Sequence, residues 1–231
     1  MSPKRQALLM FGTLGVFGVG VSVIIIAIGG GFSGPGPSIL HPSTAADLWT
    51  VGQGIKQGTV LNYSLTSIGS RSSLINALVS MNFVQDTGSA WKVNFYIHND
   101  SVAKNGSVML AKQQLTNVGS IDTSFKPYYE PVESSVLSIR DIAREPKYLA
   151  IGAPWDSIFV AFSSIPIRVT NHETLHTTAG TFDAFTLSYT IGSKTSKMLI
   201  THQIPLPVRA EVYDSDGRLQ YQYELVGKRL L

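Results

Sequence analysis

The stretch Phe185-Thr186-Leu187-Ser188-Tyr189-Thr190-Ile191-Gly192-Ser193 and the forty residues after it decide the fold. Phe185, Leu187, Tyr189 and Ile191 alternate with Thr186, Ser188 and Thr190. A period of two places the apolar set on one face of a strand and the polar set on the other. After the short turn Gly192-Ser193, Met198, Ile200 and Ile204 alternate with Lys197, Thr201 and Gln203. Beyond Pro205-Leu206-Pro207, Val208, Ala210 and Val212 alternate with Arg209, Glu211 and Tyr213, and Asp214-Ser215-Asp216-Gly217 leads into Leu219, Tyr221, Tyr223 and Leu225. The spacing predicts a four-strand antiparallel meander closed by a tight hairpin.

The same alternation recurs upstream. Ala77, Val79, Met81 and Phe83 share one face, as do Trp91, Val93, Phe95 and Ile97, with Lys92, Asn94, Tyr96 and His98 opposite. One stretch reads as helical, between about residues 130 and 150: Ser134 or Ser135 can cap it, Ile139, Ile142 and Ala143 lie on one side, and Pro146 limits it. The expected fold class is therefore mainly β, α+β in detail, an antiparallel sheet with one buried face and an inserted helix.

The N-terminus has a different character. No Asp, Glu, Lys or Arg occurs between Arg5 and Asp47, and the densest apolar part, Leu8 to Ile28, would form a helix of roughly 32 Å, the thickness of a bilayer's hydrocarbon core. Lys4 and Arg5 precede this run and the next basic residue after it is Lys56, which predicts a cytoplasmic N-terminus and an extracytoplasmic C-terminal domain. The organisation read from these features is a cytoplasmic tail at 1–6, a transmembrane helix at 7–32, a Gly/Pro-rich linker at 33–46 and an extracytoplasmic β-rich domain at 47–231. Ala27-Ile28-Gly29 could serve a signal peptidase, but the apolar run is longer than secretory signals use, which favours a retained anchor. Gly12, Gly15, Gly18 and Ser22 would let a second helix approach closely.

Composition limits the chemistry. The chain has 231 residues, 44% of them hydrophobic, enough for one sizeable core. Setting Lys4 and Arg5 aside from the 18 basic residues leaves 16 against 15 acidic, a net of +1 without a charge block, so nucleic-acid binding has no electrostatic basis. The absence of cysteine removes disulfides, thiolate metal sites and a Cys nucleophile. No phosphate-binding loop, dinucleotide fingerprint or G-x-S-x-G elbow occurs, and no cofactor is expected.

His172-Glu173-Thr174-Leu175-His176 spells the H-E-x-x-H pattern of zinc peptidases. That chemistry needs a helix, so that both imidazoles reach one metal beside the glutamate base. Thr170, Thr174, Thr177, Thr178 and Thr181 favour a strand instead, and Gly180 would interrupt a helix. A strand would turn His172 and His176 to one side and Glu173 to the other. The motif leaves two lesser alternatives: a zinc-dependent hydrolase through His172–His176, and a two-histidine metal site of His172 and His176 with His98 or His202 as a third ligand. Asp214-Ser215-Asp216-Gly217 opens like a calcium loop, yet its twelfth position is Leu225, so it reads as a turn. Asn62, Asn99 and Asn105 stand in N-glycosylation sequons. Trp155, in Ala153-Pro154-Trp155-Asp156-Ser157, is expected to be an exposed loop aromatic able to contact a partner or ligand.

The C-terminal segment, with Ala179-Gly180-Thr181-Phe182 opening a strand and Pro207-Val208-Arg209-Ala210-Glu211-Val212-Tyr213 preceding the last hairpin, resembles the end of exported domains similar to the Lol lipoprotein carriers, over roughly residues 174–226. The resemblance implies a strongly curved antiparallel sheet, a half-barrel around helices, whose concave side can hold lipid chains. Together the residues and the resemblance predict a non-enzymatic, membrane-tethered binding or assembly module, for a lipid or other apolar ligand, or else an accessory subunit of a membrane or cell-surface complex.

Overall fold

A computed structural model of the chain describes residues 47–68, 74–160 and 162–231. The expected tail, transmembrane helix and linker, with Gly12, Gly15, Gly18 and Ser22, lie outside these residues. Among the described residues no helix is long and apolar enough to cross a membrane.

Twelve strands and one short helix follow in order: β1 Leu48–Trp49, β2 Val60–Ile68, β3 Ala77–Asp86, β4 Ala90–His98, β5 Ala103–Ala111, α1 Lys126–Glu133, a 3-10 turn Ser138–Asp141, β6 Lys147–Tyr148, β7 Pro154–Val160, β8 Ser163–Thr177, β9 Gly180–Ile191, β10 Lys194–Ile200, β11 Arg209–Tyr213 and β12 Leu219–Arg229. Ten of the strands form one antiparallel sheet in the order β5-β4-β3-β2-β12-β11-β10-β9-β8-β7, and β1 pairs with β6 alone. The chain lays down β2 to β5 outward from the centre, crosses by the helical segment to the far edge, and returns from β7 to β12. The last strand closes against β2, with Tyr223 opposite Leu65 and Leu225 opposite Tyr63.

The predicted meander is β9 to β12. Its first turn is Gly192-Ser193, with Ile191 facing Lys194. Its last is Asp214–Gly217, where the Asp214 carboxylate accepts the backbone N–H groups of Asp216 and Arg218, both at 2.9 Å, and Gly217 takes φ 74°, open to glycine without strain. One detail differs. β10 ends at Ile200, and Ile204 sits in a loop, fully buried, its carbonyl facing the Trp49 indole N–H at 3.4 Å. The pair Pro205 and Pro207 cannot supply ladder N–H groups, so the chain leaves the sheet before reaching them.

The helix begins earlier than its serines suggest. Asp122 folds back to accept the Ser124 N–H at 2.7 Å, its carbonyl takes the N–H groups of Phe125 and Lys126, and Pro127 stands in the first turn. Ser134 is the C-cap, and the hydroxyls of Ser134 and Ser135 donate to the Pro131 carbonyl at 3.2 and 2.6 Å. The serines end the helix because their hydroxyls serve its orphan carbonyls instead of its orphan N–H groups. Ile139 follows in the 3-10 turn and is buried, but no helix runs from 134 to 146.

This segment covers the inner face of the sheet. Phe95 of β4 meets Tyr129 edge-on with centroids 5.3 Å apart, and Phe125 at 6.4 Å. Gly106 of β5 permits the approach, since a Cβ there would lie 2.4 Å from the Phe125 ring. Farther along, the Ser138 and Tyr221 hydroxyls are 2.9 Å apart. Arg140, half-buried, donates to the Leu115 carbonyl at 3.0 Å and to Glu133 at 2.8 Å. Inward-facing residues of β2, β3, β4, β8, β9, β10, β11 and β12 join this segment in one apolar core.

Candidate functional site

Side chains from six consecutive strands, Ile158, Ile167, Tyr189, Met198, Val212 and Tyr221, line one cavity with Ser138, Asp141 and Ile142 of the crossing segment. Its volume is about 200 Å³. Six strands of a flat sheet would span roughly 24 Å at 4.8 Å each, so the sheet curls strongly over this stretch. The cavity lies below the roughly 300–1,000 Å³ of ordinary ligand pockets, and its wall mixes aliphatic with hydroxyl and carboxyl groups. Burial holds the Tyr221 hydroxyl neutral, its pKa displaced upward.

Deeper in the core, Tyr63 and Tyr223 pack edge to face with centroids 5.6 Å apart. Both rings are fully buried, and among the described residues neither hydroxyl finds a hydrogen-bond partner. Desolvation raises the pKa of each well above the usual tyrosine value.

The H-E-x-x-H motif lies within β8, from Ser163 to Thr177, and not on a helix. His172 faces Asp183 of β9, with Nε2 2.5 Å from the carboxylate, and its ring stacks on Phe185 at 4.2 Å. His176 Nδ1 is 3.0 Å from the Thr181 hydroxyl. Glu173 accepts the Thr186 hydroxyl at 3.0 Å. Each member of the motif is thus engaged across the β8–β9 ladder. His202 approaches Phe185 edge-on at 6.0 Å, while His98, at the end of β4, lies tilted beside Tyr96 with centroids 5.0 Å apart. Among the described residues no group of three His, Cys, Asp or Glu side chains could hold a metal ion.

Trp155 is not an exposed loop aromatic. It belongs to β7, is 2% exposed, stacks on Trp49 with centroids 5.6 Å apart and donates its indole N–H to the Tyr148 carbonyl at 2.9 Å. Gly152 and Pro154 suggested a loop, but a bulge between Pro154 and Asp156 admits the strand and turns the indole inward. Two far more exposed aromatics lie four and seven residues on. Phe159 is 80% and Phe162 105% exposed, at the tip of the β7–β8 hairpin. Ser157 to Ile167 carries no charge, the signal by which the sequence could have shown this tip. β7 is also an edge strand, paired only with β8.

Of the sequon asparagines, Asn105 is exposed on β5 and Asn62 half-buried on β2. Asn99 sits in the β4–β5 turn, its amide N–H donated to the Ile75 carbonyl at 3.0 Å and its oxygen accepting the N–H groups of Ser101 and Val102. A second cavity, of about 410 Å³, opens on the outer face of β3, β4 and β5 between Ser80, Asn82, Asn94, Tyr96, Asn105 and Ser107.

No family model matches the chain, and no curated protein matches it in sequence. Among solved structures, the chain is similar to a candidate lipoprotein from Parabacteroides distasonis, at 16% identity and a TM-score of 0.37, over 78% of this chain and 99% of that one. It is similar to a candidate exported protein with a YmcC-like fold from Bacteroides fragilis, at 11% identity and a TM-score of 0.36, over 78% and 99%. It is also similar to MucB, solved in complex with MucA(peri), at 7% identity and a TM-score of 0.42, over 76% of this chain and 50% of that one.

Proposed function

We propose that the chain is a membrane-tethered, extracytoplasmic assembly module that holds a partner protein through the β7–β8 hairpin. The observation that carries this is the pair Phe159 and Phe162, standing bare in an uncharged run at the tip of the edge hairpin. Two exposed phenylalanines cost solubility and stabilise nothing in the domain itself; a partner's apolar pocket would bury them, and their rings are the kind that dominate interface energetics.

Ser157 to Ile167 holds no Lys or Arg that would draw the tip to phospholipid headgroups, which favours a protein partner over a bilayer. The lipid-carrier reading finds less support, because the helical segment covers the concave face and leaves about 200 Å³ beneath it.

The test uses the full chain in its native membrane, with a photoreactive phenylalanine analogue at position 162 and, as a control, at Val118, which is 60% exposed elsewhere. We expect one discrete partner protein captured from 162 and not from 118. Once purified, that partner should bind the chain at least about tenfold more weakly when Phe159→Ser and Phe162→Ser are combined. Capture of a second copy, capture of lipid alone, or binding indifferent to the two serines would overturn the reading.

A further inference from the structure

The outer face of β2 to β5 carries an unusual run of uncharged polar groups. Register aligns Asn62, Ser80, Tyr96 and Asn105 in one cross-strand row and Asn82, Asn94 and Ser107 in the next. Over β3, β4 and β5 the rows border the 410 Å³ groove, a volume within the ligand-pocket range, and no residue lining it is charged.

The polar groups are set up to pair with something else. Ser107 donates its hydroxyl to Asn94 Oδ1 at 2.6 Å, which holds that carboxamide still and leaves its NH₂ group as a donor. Asn82 and Asn105 each offer an amide donor and a carbonyl acceptor side by side. The Tyr96 ring is 47% exposed and backed by His98, whose ring lies 5.0 Å away. A phosphate or carboxylate ligand would find no cation in the lining. An apolar ligand would strip water from three carboxamides and return no hydrogen bond. A polyol satisfies both requirements: each hydroxyl donates and accepts, and the C–H face of a pyranose ring can lie on an aromatic ring.

We propose that this groove binds a neutral sugar. Two sources share that chemistry. The sugar is either part of another molecule or the chain's own N-linked glycan, because the sequons at Asn62 and Asn105 fall at the two ends of the same cross-strand row. The groove lies at the β5 side of the sheet and the hairpin at the β7 edge, so this proposal stands or falls independently of the partner-protein reading.

The test has two arms. Full-length chain from a host without N-glycosylation is kept in a polyoxyethylene detergent, since alkyl glycosides would themselves compete. It is titrated with maltose, cellobiose, lactose and N,N′-diacetylchitobiose, with glucose 6-phosphate and glucuronate as charged controls, and binding is read by saturation-transfer NMR. Binding of a neutral disaccharide and not of the charged sugars, reduced at least about fivefold by Tyr96→Ala and by Asn82→Ala at unchanged melting temperature, assigns the groove to an external glycan. In the second arm, chain from an N-glycosylating host is analysed by peptide mass spectrometry. A glycan on Asn105 whose protons show nuclear Overhauser contacts to the Tyr96 ring assigns the groove to the chain's own sugar. Neither result, equal binding of the charged sugars, or a signal untouched by Tyr96→Ala would overturn the proposal.

Discussion

The two edges of the sheet are built from the same sequence pattern and end in opposite conditions. β4 and β5, at one edge, turn Phe95, Ile97, Val108 and Leu110 into a core closed by Phe125 and Tyr129, while amides and hydroxyls face outward. β7, at the other edge, buries Trp155 but leaves Phe159 bare on its outer side, and the tip beyond it leaves Phe162 bare. Alternation sorts residues between two faces; it does not provide a cover for either. At β4 the crossing segment supplies the cover, and at the β7–β8 tip nothing in the described chain does. The cost of substitutions should follow that difference.

The largest effect is expected at Phe95→Ala, which empties a fully packed site between two aromatic rings and should lower the unfolding free energy by about 3–5 kcal/mol in a denaturant titration. A loss under about 1 kcal/mol would break the contrast between the edges. Next is Gly106→Ala, whose Cβ would meet the Phe125 ring at 2.4 Å. Overpacking there should cost about 1–3 kcal/mol, and Phe125→Leu in the same chain should recover part of it by yielding room.

The buried tyrosines give a pH prediction. Tyr63, Tyr129, Tyr221 and Tyr223 all have folded pKa values raised above the unfolded value, desolvation being the first cause of each. A raised folded pKa means stability that is complete below the unfolded tyrosine value of about 10 and lost as pH climbs above it. Melting temperature should thus hold up to about pH 10 and fall beyond. Tyr63→Phe, which deletes an unpartnered buried hydroxyl, should be neutral or stabilising by up to about 1 kcal/mol at pH 7 and should soften the alkaline fall. A clear destabilisation would show that the hydroxyl has a partner.

The smallest effect on stability belongs to the other edge. Phe159→Ser with Phe162→Ser should change the unfolding free energy by no more than about 0.5 kcal/mol while raising solubility, which ultracentrifugation at high protein concentration would measure.

Much of the architecture is readable from local pattern. The strands around Phe185–Ile191 and Val208–Leu225, and the turns at Gly192-Ser193 and Asp214–Gly217, need only period-two alternation and turn chemistry, which act over a few residues. The strand state of His172–His176 was legible in its threonines for the same reason. Ser134 and Ser135 point to the wrong end of the helix, because a serine hydroxyl caps either end and only the backbone around it decides which. The glycine and proline neighbours of Trp155 point to the surface, but Trp49, more than a hundred residues away, covers it.

By itself, then, the sequence determined the anchor-like uncharged run, the β class and the strands and turns of the C-terminal meander, all properties of neighbouring residues. Only the tertiary structure decided that β12 closes against β2, that the crossing segment fills the concave face, that Trp155 is core, and that Phe159, Phe162 and the amide row are the surfaces left open. The physical reason is common to all four. Burial is a relation between segments distant in the chain, and alternation states which way a side chain points but not what arrives to meet it.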